Sequence, residues 1–309
     1  MFVVSGEALM DVFGGDATAQ GLALDARIGG SPLNVAIGLA RLGQPVAFFG
    51  ALSSGFLGDR LLGALHAEGI DTRAVPRLDA PTTLGLVGLD AQGVPSYAFY
   101  GHGCADRLLP TTALDALPAA ARAFHFGSYA MVVEPVAATQ RALVEREHAR
   151  SLIAYDPNIR LNVEPDLGRW RDALQWMLPR THLLKVSEED LGLLYPGVPP
   201  ATLAAQWLAQ GVACVVVTRG GDGALAWRAG GETLRVPPVP VTVVDTVGAG
   251  DTFQAALLAG LAERGVWSGT ALQALDAPAL QQVLEWAAQA AAITCSRRGA
   301  DLPRRSELA

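Results

Sequence analysis

Residues 241–259, VTVVDTVGAGDTFQAALLA, restrict what this chain can fold into more than any other stretch. They predict a short apolar strand over 241–244, a glycine-rich turn, and an amphipathic helix opening near Gly250 and Asp251. Phe253, Ala256, Leu257 and Gly260 then recur at helical spacing. Gly248, Ala249 and Gly250 let the backbone turn tightly and approach a ligand closely. The helix N-terminus adds unpaired N–H groups and partial positive charge, which together make an anion cradle. Asp251 is the unusual member, because a loop built only to hold phosphate would keep a carboxylate away. A phosphoryl-transfer site can use one to take the proton of the attacking hydroxyl. The plainer alternative is an ordinary first-turn acid favoured by the helix dipole after a common turn. The string lacks the GK[ST] of a P-loop and the G-x-G-x-x-G of a dinucleotide fold.

A second string lies near the other end of the chain. In GGSPLNVAIGLARLG (29–43), Ser31 suits an N-cap and Pro32 a first helical position. Leu33, Ile37 and Ala40 share a face, and Gly43 ends the helix. Asn34 falls on the first turn, where it is either a tolerated polar residue or a ligand-facing one. Before it, residues 2–4 form an apolar strand, followed by Gly6-Glu7 and a stretch 8–12 that ends near Asp11. A carboxylate at a strand's C-terminal end in an α/β sheet stands where ligands meet the fold; a solvated loop acid is the alternative. Residues 14–28 are polar with sparse alternation and suit strands of a small lid.

The rest of the chain keeps a strand–helix rhythm. Strands are expected at 45–49, 123–127, 152–155, 182–186 and 213–218, with helices at 56–68, 134–150, 170–178 and about 277–294. A polar connection with Trp267 and Gly269 precedes the last helix. The rhythm breaks at 82–100, which reads as a hairpin: 83–89, a turn at Asp90-Ala91-Gln92-Gly93, then 94–100. His125, inside an apolar strand, reads as a core histidine. Ser187 followed by Asp190 resembles a capping box. Thr218 to Gly223 reads as a glycine-rich turn, and Asp245 as an acid satisfying turn amides.

DTVGAGDTF after an apolar strand resembles the C-terminal signature of the PfkB, or ribokinase-like, carbohydrate kinases, and GG followed by Asn34 resembles their N-terminal one. Both occur in the family's order, and the likeness covers nearly the whole chain. It implies a three-layer α/β/α sandwich with a mainly parallel central sheet and a small β-sheet lid, formed by about 12–28 and 82–100 on a single domain. It implies ATP and Mg²⁺ as cofactors and a monovalent cation such as K⁺ as a further one. Asp251 would be the catalytic base, with the amides of Ala249, Gly250 and Asp251 after Gly248 as the anion hole. Asp11, Gly29, Gly30 and Asn34 would meet the sugar, and Arg160 of the DPN-x-R string the sugar or the transferring phosphate, an arginine that merely caps a loop being the alternative. Ser187, Thr218, Gly220, Gly223 and Gly250 would meet ATP. Asp190 stands where the family carries a longer acid tied to Mg²⁺, and here it is one methylene shorter. Asp245 and Val247 match the monovalent-cation loop, beside a C-terminal segment resembling R-x-GA. The family often pairs lid edges across a homodimer.

GEALMD, SPLNVA, DPN-x-R and ADRLLP (105–110) look most like bacterial fructokinases. A 2-keto-3-deoxygluconate kinase is the rival, since an acidic sugar would suit Arg160 or Arg107. A different class, a non-catalytic sugar-binding protein on a kinase fold, would be expected to lose Asp251 or the glycine turn. A dehydrogenase would need a fingerprint where GEALMD stands. Composition narrows the field further. With 309 residues, half of them hydrophobic and 17% charged, the chain can bury a large core. A net charge of −7 with no basic run argues against nucleic acid. Three scattered cysteines fit a reducing cytosol and give no metal spacing. The N-terminus lacks a basic leader, and no apolar run nears the roughly 20 residues of a membrane span.

Overall fold

The computed structural model describes residues 1–17, 19–89 and 95–308. Its frame is one eight-stranded sheet among the described residues, in the order β14-β13-β12-β11-β10-β9-β1-β4. The members are β1 (Phe2–Ser5), β4 (Val46–Phe49), β9 (Ala123–Gly127), β10 (Leu152–Asp156), β11 (Leu183–Ser187), β12 (Cys214–Thr218), β13 (Ala224–Arg228) and β14 (Leu234–Val236). All neighbours from β4 to β12 pair in parallel, and β13 and β14 close one edge antiparallel. The parallel strands are apolar on both faces because both faces are covered. Phe2 and Val4 face one core while Val3 faces the other, as strand alternation requires.

Helices α1 (Ser31–Arg41), α2 (Phe56–Ala67), α7 (Ala249–Glu263), α8 (Gly269–Ala274) and α9 (Ala277–Cys295) cover the first face. Helices α3 (Val136–Glu147), α4 (Leu167–Met177), α5 (Glu188–Leu194) and α6 (Pro200–Ala209) cover the second. Helix α7 is buried from Asp251 to Ala262, so its residues are apolar or small all round rather than striped.

A smaller four-stranded sheet has the order β3-β2-β7-β8, from β2 (Leu9–Ala17), β3 (Leu22–Gly29), β7 (Leu84–Leu89) and β8 (Pro95–Tyr100). Short strands β5 (Leu52–Ser53) and β6 (Arg77–Leu78) form a separate parallel pair. The expected strands in 14–28 and the two arms of the 82–100 hairpin are present; the turn at Asp90 to Gly93 lies outside the described residues.

Four expectations need correction. Residues 241–244 form no strand: they run exposed, with Val243 and Val244 about 60% accessible. Pro237, Pro238 and Pro240 end the ladder directly after β14, so the chain has already left the sheet when it reaches 241. Of the amides of 241–245, those of Val244 and Asp245 alone are held among the described residues, both by the Cys295 carbonyl. Asp11 does not end a central strand; it sits within β2 of the small sheet. Ser31 is not the cap of α1, because Gly30 is, and the Ser31 hydroxyl turns elsewhere. The polar connection before α9 contains α8, capped by the Ser268 side chain.

Candidate active site

The C-terminal ends of the parallel strands carry the polar residues, as an open α/β sheet dictates. Helix α7 begins there. Its cap Gly248 has φ 79°, a left-handed conformation that disfavours a side chain. A Cβ on Gly248 would also stand 2.6 Å from the Ala300 Cβ. Asp245 clasps the turn: Oδ1 accepts the Val247 N–H at 3.1 Å and Oδ2 the Gly299 N–H at 2.8 Å. Burial pushes the Asp245 carboxyl up, but those amides, Thr246 and the charge of Arg27 hold it below the usual range. The Ala249 N–H closes onto the Thr246 carbonyl at 3.2 Å. Thr252 ties the first turn to α9, its hydroxyl 2.8 Å from that of Thr294. The amides of Gly250 and Asp251 have no hydrogen-bond acceptor among the described residues and stay available to an anion.

Asp251 is 8% exposed, and both carboxylate oxygens are held by the first turn of α1. Ser31 Oγ donates to Oδ1 at 2.6 Å, and Asn34 Nδ2 donates to Oδ2 at 2.8 Å. The two sequence strings therefore meet through their polar side chains. Asp11 faces the same place from β2. Its cross-strand neighbour in β7 is Gly85, and a Cβ on Gly29 would land inside its carboxylate. Burial raises the Asp11 carboxyl to about 6, with Arg160 pulling down and Asp251 pushing up. A Cβ on Gly30 would come within 2.7 Å of the Glu7 carbonyl oxygen, which packs the start of α1 against residue 7. Arg160 is exposed, its Nη1 donating to the Ile159 carbonyl at 2.9 Å. Its charge also reaches Glu7 and Asp190.

The sequence reading missed one ion pair. Lys185 of β11 and Asp156 of β10 are buried and pair at 2.7 Å. A Cβ on Gly250 would stand 3.2 Å from Lys185 Nζ, so the ammonium lies beside the anion turn. Asp156 Oδ1 has no hydrogen-bond partner among the described residues, and burial raises this carboxyl to about 6 despite Lys185. The available signal was the lysine itself: LLKVS is an apolar strand, and a charge inside one needs a partner. Asp190 Oδ1 accepts the Ile159 N–H at 3.2 Å, and burial raises its carboxyl against the pull of Ser187, Lys185 and Arg160. Ser187 Oγ caps α5 by accepting the Asp190 N–H at 3.0 Å. Ser187 and Thr218 are register partners on β11 and β12, and the turn holding Gly220 and Gly223 follows Thr218.

His125 is a core residue: it is 1% exposed, its Nδ1 lies 3.3 Å from Gln254 Nε2 of α7, and burial lowers its pKa to about 3. Glu7 was not singled out. It is fully buried, and burial raises its carboxyl to about 8 against the pull of the Ser128 side chain. Asp106 lies near it, bonded to the Thr83 hydroxyl and, at 2.8 Å, to the Tyr129 hydroxyl.

The family model of pfkB family carbohydrate kinases matches residues 1–307. A fructokinase of Rhizobium leguminosarum bv. trifolii is 36% identical over 307 residues, covering 99% of this chain and 92% of that protein. A probable fructokinase-7 of Arabidopsis thaliana is 33% identical, with 97% and 88% covered. Among solved structures, a fructokinase with bound ATP from Xylella fastidiosa superposes with a TM-score of 0.88 at 28% identity, covering 99% of this chain and 96% of that one.

Proposed function

The chain belongs to the pfkB family of carbohydrate kinases, and on that premise we propose that it transfers the γ-phosphoryl group of ATP to a hydroxyl of fructose. The observation that carries the mechanism is the fixing of both Asp251 oxygens by Ser31 and Asn34 beside the free amides of Gly250 and Asp251. As the sugar oxygen bonds to the γ-phosphorus, the bond from phosphorus to the β-bridging oxygen breaks and ADP leaves. The hydroxyl proton passes to Asp251. The helix amides and the Lys185 ammonium face the charge carried by the transferring group. Asp11, Gly29, Gly30, Asn34 and Arg160 hold the sugar, and the small sheet acts as a lid that keeps water out. Ser187 and the Thr218–Gly220–Gly223 turn meet the nucleotide.

For Mg²⁺, no group of three or more potential ligand side chains exists among the described residues. The unpartnered Asp156 Oδ1 and the nearby Asp190 instead suit a cation carried on phosphates and reached through one or two carboxylates or their waters. When bound, the ion would neutralise phosphate charge. Asp245 and the Val247 carbonyl are the expected monovalent-cation ligands; turnover in K⁺ against tetramethylammonium tests that role. The reducing cytosol is the compartment we favour, since all three cysteines are free; no helix among the described residues is long and apolar enough to cross a membrane.

ADP release from Mg-ATP over fructose, 2-keto-3-deoxygluconate, ribose, tagatose, glucose and adenosine tests the substrate. Turnover on fructose above the others is expected. Preference for the keto-acid would retain the mechanism and reassign sugar recognition to Arg160 and Arg107. No turnover on any sugar would sink the kinase reading in favour of a binding protein.

A further inference from the structure

Arg27 lies on β3, paired across the small sheet with Asp11 of β2. Its Nε and Nη2 donate to Asp25 Oδ2 at 2.8 and 2.6 Å, and its guanidinium carbon stands 5.3 Å from the Phe13 ring centroid. These contacts orient the group and leave Nη1 with no hydrogen bond among the described residues. A Cβ on Gly299 would stand 3.4 Å from that Nη1. The Gly299 N–H is held by Asp245, and the next residue, Ala300, abuts Gly248 at the cap of α7. The charge of Arg27 is felt at Asp245. Arg27 thus stands between the Asp11 strand pair and residue 299, whose neighbour Ala300 adjoins the turn that starts the Asp251 helix.

We propose that Arg27 couples the two substrates: sugar fixed against Asp11 and Gly29 fixes β3, and the guanidinium then braces Gly299 and Ala300 behind the phosphate-receiving turn. Arg27 is a positioning residue and touches neither reacting atom. The inference rests on the sugar-kinase reading above. Ordering that both ligands require is incurred once, so the second ligand binds more tightly, and the effect is reciprocal.

The test is calorimetric titration of a non-hydrolysable ATP analogue with Mg²⁺, without and with saturating fructose, into wild type, Arg27→Ala and Arg27→Lys. Wild type should bind the analogue at least about fivefold more tightly with sugar present, the lower end of ordinary coupling. Arg27→Ala should lose that ratio while its affinity for each ligand alone is kept, and Arg27→Lys should recover part of it. A purely structural role would weaken each ligand alone and leave the ratio intact. An unchanged ratio in Arg27→Ala, or no synergy in wild type, overturns the coupling. Turnover on the sugar panel is run alongside: turnover with an unchanged ratio sinks the coupling alone, whereas no turnover on any sugar sinks the kinase reading and the coupling with it.

Discussion

Lys185 and Asp156 show how much a single buried pair can hold. Each is at most 5% exposed at the side chain, so removing one leaves the other charge without compensation. Lys185→Met should destabilise the fold by about 3–5 kcal/mol, or less if Asp156 takes up a proton. The urea midpoint measures this, and Lys185→Met with Asp156→Leu should recover most of it, because an apolar pair leaves no buried charge. Full stability in the single variant would contradict the pairing. Glu7 supplies a pH test. Its carboxyl is raised from 4.5 to about 8 in the folded chain by burial, with the Ser128 side chain opposing. The contribution of a raised acid is complete below the unfolded pKa and is lost as pH climbs through the folded one. Stability of wild type should therefore fall from about pH 4.5 to pH 8, relative to Glu7→Gln, and the gap should level off above that. Parallel stability curves across this window would show that Glu7 does not titrate as described.

At the scale of elements, the candidate site is a meeting of two helix N-termini. Helix α1 supplies Ser31 and Asn34, helix α7 supplies Asp251 and its amides, and the turn before α7 is held by Asp245 and Ala300. Gly248→Ala should displace that turn, since the backbone is left-handed and Ala300 blocks the methyl; non-glycine residues there cost of order 1–3 kcal/mol. Its turnover should fall while the fold persists, as seen by comparing kcat with the melting midpoint; wild-type kcat would contradict the steric reading. Much at this scale was legible in the sequence. The apolar strands and the helices at 31–41 and 249–263 follow from periodicity and glycine punctuation, and Asp251 and Asn34 from their strings. Residues 241–244 misled because β-branched composition suggests a strand, while the prolines just before them deny it a ladder. The bond from Ser31 to Asp251 was hidden because Ser before Pro is equally good as a cap, and only tertiary packing decides between the two. Lys185 and Asp156 come from separate strands, and no local pattern pairs them.

On the scale of the molecule, the small sheet offers two outer strands, β3 and β8. Leu22 and Leu24 on β3 are more than half exposed, and such an edge is ordinarily covered or paired. We propose that a second copy covers it. Wild type should sediment as a dimer and Leu22→Asp with Leu24→Asp as a monomer; a monomeric wild type at micromolar concentration would dismiss the pairing. The central claim is the role of Asp251, and kcat and KM for fructose in Asp251→Asn test it most directly. If Asp251 takes the hydroxyl proton, kcat should fall by about 10² to 10⁴-fold with the fructose KM and the melting midpoint little changed. Turnover near that of wild type in the folded variant would show that another group is the base.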